Sequence, residues 1–372
     1  MKKFVKLLII AVLAMVTALS MIGCTAPGGS NPETGLLYKK IGGVYTIYDY
    51  VDDGTGKTEL NIADEIKEGI TELRIKANAF NGDNNLVKIT VPSTVTLMDK
   101  GAFAGMKKLQ ELVIPFVGMT AVADAEYTPE DVEDKSIGTE RTIAHLFGKD
   151  YYDAGSLVTI NYDANASAET CYMPVSLKKI VVAPSQNYTI PMYAFSGLKK
   201  QVAVEMNDKV VGIGEGAFKG CTQLQTIVLP NSVTKIYASA FENCSKLSNI
   251  TFGTGVEVIG EKAFKGTALT NVTIPASVTK IENYCFANSA VKNVTLSDNV
   301  NKIGHYAFFS CEKLEKVFTS GVESIGVFAF AKCKNLTYFG GESAFAENTI
   351  RLNGATAEST SFMIEGKTFT IA

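Results

Sequence analysis

The chain has 372 residues, of which 46% are hydrophobic, and its 35 Lys and Arg residues nearly balance its 38 Asp and Glu residues. This much apolar material excludes a disordered chain and is enough for one large core or two ordinary domains. A net charge of −3 and a pI near 5.7 argue against a nucleic-acid-binding surface, which normally carries a basic excess.

The first 23 residues predict a secretory signal peptide. Lys2, Lys3 and Lys6 form a basic start, and the apolar stretch 7–22 is shorter than the roughly 20 residues that span a bilayer as a helix. We therefore set this segment aside in the fold analysis and expect the rest of the chain to be exported.

The end of that segment, LSMIGC at positions 19–24, resembles a bacterial lipobox. The resemblance implies that Cys24 becomes the lipidated first residue of the mature protein. An ordinary signal peptide that ends near a cysteine is the alternative. Two or more acyl chains would anchor the protein stably, and residues 24–37 would form a flexible tether to the membrane.

From about residue 67 the sequence repeats every 22 or 23 residues, most clearly after Phe195. The unit reads L-x-x-I-x-L-P-x-S-V-x-x-I-x-x-x-A-F-x-x-C. The alternation at its start predicts a short strand, and the second apolar pair, such as Val233 and Ile236, predicts a shorter strand or turn on an opposite wall. The repeated phenylalanines are Phe80, Phe103, Phe195, Phe218, Phe241, Phe264, Phe286, Phe308 and Phe330.

A unit of this size cannot bury its own apolar face, so the units must stack on a shared core. The repeat resembles the BspA-type leucine-rich repeats of bacterial surface proteins, as IGEGAFKGC at 213–221 and LPNSVTKI at 229–236 show. We therefore predict a mainly β leucine-rich-repeat solenoid of 22–23-residue units over residues 67–345, with short parallel strands and little helix. The resemblance also implies non-catalytic protein binding and adhesion to host or bacterial surfaces.

Three segments depart from the repeat. Residues 38–66 and 346–372 alternate like strands without repeating, and we interpret them as an N-terminal and a C-terminal cap. Residues 116–156 predict an insertion, which we expect to be followed by irregular repeats through Ile180.

Four of the seven cysteines share one column of the repeat, three residues after the phenylalanine. They are Cys221, Cys244, Cys311 and Cys333. Rungs about 4.8 Å apart bring neighbouring members close, but not into ideal disulfide geometry; a ladder of buried free thiols is the alternative. Ligands at 22-residue spacing would form a row, so we predict no metal site and no cofactor.

Little in the sequence points to catalysis. The two histidines, His145 and His305, lie in no acid–base, metal or nucleophile motif, and no phosphate-binding glycine motif is present. We therefore predict that the protein is not an enzyme.

Two features are candidate partner-binding sites. One is a column two residues before the phenylalanine, where Tyr284, Tyr306 and Phe328 follow one another; packing under the C-terminal cap is the alternative. The other is an acidic run in the insertion, for which a solvated loop is the alternative. The acidic run consists of Asp124, Glu126, Glu130, Asp131, Glu133 and Asp134.

These features predict a protein that is lipid-anchored to the bacterial envelope, exposed at the surface, and binds an unknown macromolecule, most simply a protein. Its only membrane contact would be the N-terminal lipid, and we expect no nucleic-acid partner. The alternative function is an envelope-structural lipoprotein, or one that captures glycans or peptides.

Overall fold

The structure is a computed structural model, and it describes residues 30–31, 35–52, 54–66, 70–83, 85–120, 139–150, 152–161, 168–340 and 351–352. The predicted signal peptide, Cys24, the acidic run and most of the predicted C-terminal cap lie outside these residues. None of the helices in the described part of the chain has both the length and the apolar character needed to cross a bilayer.

Short strands dominate the described residues, and the helices are a single turn or little more. The helical segments are Ile62–Glu65, a 3-10 turn at Thr139–Arg141, and Ile143–Phe147. In chain order the strands are β1 (Ser30–Asn31), β2 (Leu36–Ile41), β3 (Val44–Tyr50), β4 (Glu59–Asn61), β5 (Glu72–Ile75), β6 (Lys88–Thr90), β7 (Val95–Met98), β8 (Glu111–Ile114), β9 (Gly155–Asn161), β10 (Ala168–Pro174), β11 (Lys179–Val182), β12 (Tyr188–Ile190), β13 (Ala203–Met206), β14 (Val210–Ile213), β15 (Thr226–Val228), β16 (Lys235–Ile236), β17 (Asn249–Thr251), β18 (Val258–Ile259), β19 (Asn271–Thr273), β20 (Lys280–Ile281), β21 (Asn293–Thr295), β22 (Lys302–Ile303), β23 (Lys316–Phe318), β24 (Ser324–Ile325), β25 (Tyr338–Gly340) and β26 (Arg351–Leu352).

The strands form two walls, because each repeat contributes one strand to each wall. The first wall contains β4, β6, β8, β11 and β13, and it continues through β15, β17, β19, β21, β23 and β25. The second wall contains β3, β5 and β7, and then the even-numbered strands from β12 to β26. Repeats pair in parallel and in register, as Ile227 with Ile250 and Ile236 with Ile259 show. The predicted solenoid of stacked parallel strands is confirmed.

The repeated phenylalanines stack between the walls, Phe80 on Phe103 and then without a break from Phe195 to Phe330. The rings of Phe195 and Phe218 are 5.0 Å apart and within 5° of parallel, and those of Phe218 and Phe241 are 5.2 Å apart. The Phe195 N–H donates to the Ala217 carbonyl at 2.8 Å, which repeats at Phe218 and Ala240. Each buried ring contributes roughly 2–3 kcal/mol, and stacking repeats that gain along the axis.

Between Phe103 and Phe195 the first wall is unbroken, because β8 pairs directly with β11. The described residues of the added segment, among them the helix Ile143–Phe147, lie on the side of the solenoid where the repeat turns are. There the Phe103 N–H donates to the Leu146 carbonyl at 2.9 Å, and Phe147 is fully buried. The helix Ile143–Phe147 therefore takes the place of one repeat turn.

The expectation of irregular repeats from residue 156 through Ile180 is wrong for the residues of β9 and β10, whereas β11 joins the first wall as a repeat strand does. The antiparallel strands β9 and β10 form a hairpin here, with Ala168 opposite Asn161 and Pro174 opposite Gly155. One face of the hairpin is buried and the other is exposed, because apolar residues alternate with polar ones along both strands. The buried apolar members are Val158, Ile160, Cys171 and Met173, and Glu169 is buried as well.

The residues that we interpreted as the N-terminal cap begin with an antiparallel hairpin of β2 and β3. Strand β3 then pairs in parallel with β5 and so starts the second wall. Tyr45 and Ile47 of β3 are buried in the core. At the other end of the solenoid β26 pairs in parallel with β24, and the rest of residues 346–372 lies outside the described part.

Candidate functional site

Each regular repeat turn places two residues in the left-handed region of backbone conformation. Around Phe218 these are Gly216, with φ of 57°, and Gly220, with φ of 70°. A side chain at such a position meets steric strain of roughly 1 kcal/mol, so glycine, asparagine and serine occupy it at the lowest cost in free energy. The column two residues before the phenylalanine follows this rule at Asn78, Gly101 and Ser239.

Tyr193 and Lys262 depart from that rule singly, with φ of 54° and 58°, and the last three rungs depart from it in succession. Tyr284, Tyr306 and Phe328 occupy the same column with φ of 55°, 56° and 55°. Bulky residues with positive φ are genuine outliers, and such strain is concentrated at functional sites. We call these three residues the aromatic ladder.

The rings of the aromatic ladder stack on one another. Tyr284 and Tyr306 have ring centroids 4.8 Å apart and parallel planes, and Tyr306 and Phe328 are 5.2 Å apart at 31°. All three side chains are half-buried. Because neighbouring rings cover much of each other's faces, the ladder presents mainly ring edges and the two tyrosine hydroxyls.

Three further residues extend this surface. The Phe309 ring meets Tyr306 edge-on at 5.6 Å, and the ammonium group of Lys332 lies 5.1 Å from the Phe309 ring centroid. At the other end the Lys262 ammonium lies 5.6 Å from the Tyr284 ring centroid. A hydrogen bond to Glu261 raises the pKa of Lys262, so this cation stays charged.

The same edge of the solenoid is charged in the preceding rungs. Buried Glu242 lies between Lys219 at 3.1 Å and Lys265 at 3.0 Å. Burial alone would raise the pKa of Glu242, but the hydrogen bonds from Lys265 and Lys219 outweigh it and hold that pKa below its usual value. These charges satisfy one another. The aromatic ladder is partly covered by Phe309 and Lys262, and its three side chains stay half-buried.

Both histidines have structural partners. His145 is buried, and its Nε2 donates to the Met98 carbonyl at 3.0 Å; burial lowers its pKa. His305 is exposed, its Nδ1 accepts the Val327 N–H at 3.0 Å, and its own backbone N–H donates to Asn283. In this arrangement each histidine supports the backbone of a neighbouring rung.

The column cysteines in the described residues are free thiols. Each thiol donates to the carbonyl of a phenylalanine in an earlier rung, as Cys221 does to Phe195 and Cys244 to Phe218, both at 3.0 Å. Burial raises the pKa of Cys221 well above its usual range. Within the described residues, no three His, Cys, Asp or Glu side chains lie where they could hold a metal ion.

The structure thus brings together Tyr284, Tyr306 and Phe328, whereas Cys24 and the acidic run Asp124–Asp134 lie outside the described residues. Phe309 and Lys332 belong to other columns and are not among the predicted site residues. The left-handed backbone of the ladder column is not predicted either. The recurrence of Gly and Asn in that column, at Gly101 and Asn78, is the signal that could have revealed it.

A family model described as the BspA type leucine rich repeat region matches residues 55–129, 166–292 and 257–369, in six copies. Three of the similar solved structures are bacterial proteins. A leucine-rich repeat protein from Bacteroides ovatus is 20% identical, with a TM-score of 0.45, and the match covers 89% of this chain and 84% of that one. A leucine rich cell surface protein from Faecalibacterium prausnitzii is 16% identical, with a TM-score of 0.34 and coverage of 86% and 96%.

The T. pallidum leucine rich repeat protein is 25% identical, with a TM-score of 0.34, and the match covers 52% of this chain and 82% of that one. A search of curated proteins found no match.

Proposed function

Because the chain belongs to the BspA-type leucine-rich-repeat family, we propose that it is a non-catalytic binding protein of the bacterial cell surface that uses the aromatic ladder to bind another protein. Repeat solenoids offer extended surfaces for such binding. The observation that carries the proposal is the ladder itself, in which bulky rings occupy the strained position in three successive rungs and stack, whereas Tyr193 is a single ring in that column beside Gly216.

The way the rings stack favours a protein ligand over a glycan. Sugars bind aromatic side chains by lying on a ring face, and here neighbouring rings already cover much of those faces. Ring edges and tyrosine hydroxyls suit a protein surface, where Tyr supplies apolar contact and a hydrogen bond together. Adhesion to host or bacterial surfaces is the form of binding that the family suggests.

Binding is tested with the full chain and two substitutions in the aromatic ladder. The Tyr306→Gly/Phe328→Gly variant removes two rings while leaving a residue that the column accepts naturally at Gly216. A Tyr237→Ala variant is the matched control, because Tyr237 is an exposed tyrosine outside the ladder. We expect a purified surface protein that binds the wild-type chain saturably to lose at least tenfold in affinity with the ladder variant only. Equal binding by all three chains would refute the proposal.

Surface attachment is a separate part of the proposal. We propose that Cys24 carries the lipid, as the lipobox-like LSMIGC at 19–24 implies. A Cys24→Ala precursor should then lose its partitioning into the membrane fraction, with Cys333→Ala as a cysteine control. Unchanged partitioning of the Cys24→Ala precursor would exclude the lipid anchor and leave the binding proposal standing.

A further inference from the structure

The aromatic ladder has a fixed step along the solenoid axis, and a partner that contacts every rung must match it. The two centroid separations are 4.8 and 5.2 Å. An α-helix returns a side chain to the same face once per turn, about every 5.4 Å, whereas a β-strand does so every second residue, at roughly 6.6–6.8 Å. The ladder step is therefore close to that of a helix with contacts at i, i+3 or i+4, and i+7.

The neighbouring column adds one more ring to this surface. One residue after each repeat phenylalanine stand Ala287, Phe309 and Ala331, of which Ala287 is buried and Phe309 is half-buried. The Phe309 ring meets Tyr306 in the ladder. Phe309 therefore widens the apolar surface at its middle rung.

The charged residues at the ends of the surface indicate the charge that a partner should carry. Lys262 stands beside Tyr284 at one end, and Lys332 stands beside Phe309 near the other. Lys332 is exposed, and in the described part of the chain its ammonium group meets the Phe309 ring instead of a carboxylate. Lys262 is already paired with Glu261 at 2.7 Å, so an acidic residue flanking the apolar face of a partner would complement Lys332.

We propose that the aromatic ladder binds an amphipathic α-helix of a partner protein, with apolar side chains at i, i+3 or i+4, and i+7 packed along the rungs and an acidic residue near Lys332. This inference rests on the proposed function, because it names the class of partner for the same surface. The helix would present one apolar face to the ladder, with its turns matched to the repeat spacing of the solenoid.

The test is a selection of binders from two display libraries against the purified full chain. One library randomises one face of a stable helical host, and the other randomises an extended strand in a β-hairpin host. Each selected binder is titrated against the wild-type chain, the Tyr306→Gly and Phe328→Gly variants, and the Tyr237→Ala control. The glycine variants are chosen because glycine occupies the same column at Gly216 with φ of 57°.

We expect helical binders with apolar residues at i, i+3 or i+4, and i+7, whose affinity falls at least tenfold with Tyr306→Gly and is unchanged with Tyr237→Ala. Lys332→Glu should weaken those binders that carry an acidic end residue. Ladder-dependent binders that come only from the hairpin library would overturn the helical partner and leave the proposed function intact. If neither library yields a binder that depends on the ladder, both proposals fail.

Discussion

The regular rungs from Phe195 to Phe330 and the interrupted region between Phe103 and Phe195 are held together in different ways. In the regular rungs the main contact is between phenylalanine rings stacked 5.0–5.5 Å apart, and buried Glu242 adds ion pairs to Lys219 and Lys265. In the interrupted region a buried carboxylate, Glu169, joins the hairpin to Lys100 of a repeat turn and to Lys149 at 3.4 Å. The difference shows that the solenoid accepts added chain on its turn side as long as the first wall stays paired.

The largest effect should come from breaking the phenylalanine stack. Phe241 is fully buried between Phe218 and Phe264, so Phe241→Ala should lower the free energy of unfolding by about 3–5 kcal/mol. Urea unfolding of the full chain measures this loss. Phe252→Ala is the control, because Phe252 is only half-buried and touches Phe264 edge-on. A loss below about 1 kcal/mol for Phe241→Ala would show that the stack does not hold the rungs together.

A smaller and more local effect should follow from removing the buried carboxylate of the interrupted region. Glu169→Ala should cost about 1–3 kcal/mol. The loss is smaller than for a fully buried pair because Lys100 and Lys149 are 43% and 61% exposed and can return to water. Hydrogen exchange should speed up in β9 and β10 and stay unchanged from Phe218 to Phe330. Glu261→Ala, at an exposed ion pair, is the control, and equal exchange changes in both regions would contradict the comparison.

The pH dependence of stability should also separate the two regions. Burial lowers the pKa of His145, so at low pH the unfolded chain binds a proton that the folded chain excludes. His145 therefore contributes fully to the free energy of unfolding above the unfolded-state pKa of about 6.5. This contribution is lost as the pH falls below that value, by at most about 1.4 kcal/mol per pH unit. His145→Gln should flatten the profile between pH 7 and 5.5. An unchanged profile for His145→Gln would refute the assignment.

The smallest expected change in stability comes from glycine substitutions in the ladder column, where Ser239→Gly is compared with Tyr306→Gly. Ser239→Gly relieves left-handed strain at φ of 55° and should stabilise the fold by up to about 1 kcal/mol. Tyr306→Gly relieves the same strain but loses ring contacts with Tyr284 and Phe328, each worth roughly 0.5–1.5 kcal/mol. Thermal unfolding of the two variants measures the difference. If Tyr306→Gly stabilises as much as Ser239→Gly, the stacking contributes nothing.

Much of the fold was predictable because a repeated sequence has only one efficient way to bury its apolar face. The spacing of the phenylalanines and of columns such as Ile213, Ile236 and Ile259 determined the stacking, the wall strands and the core. The hairpin β9–β10 was not predictable as a hairpin, because alternation in a single strand does not reveal whether its partner is parallel or antiparallel.

The sequence by itself determined the solenoid, its core column and the vertical alignment of Tyr284, Tyr306 and Phe328. Only the tertiary structure decided that these rings stand on left-handed backbone, stack with their edges outward, and meet Phe309 and Lys332 from other columns. The physical reason is that periodicity specifies which residues share a column. Which columns touch, and which side of a ring reaches solvent, depends on how the turn folds back between the two walls.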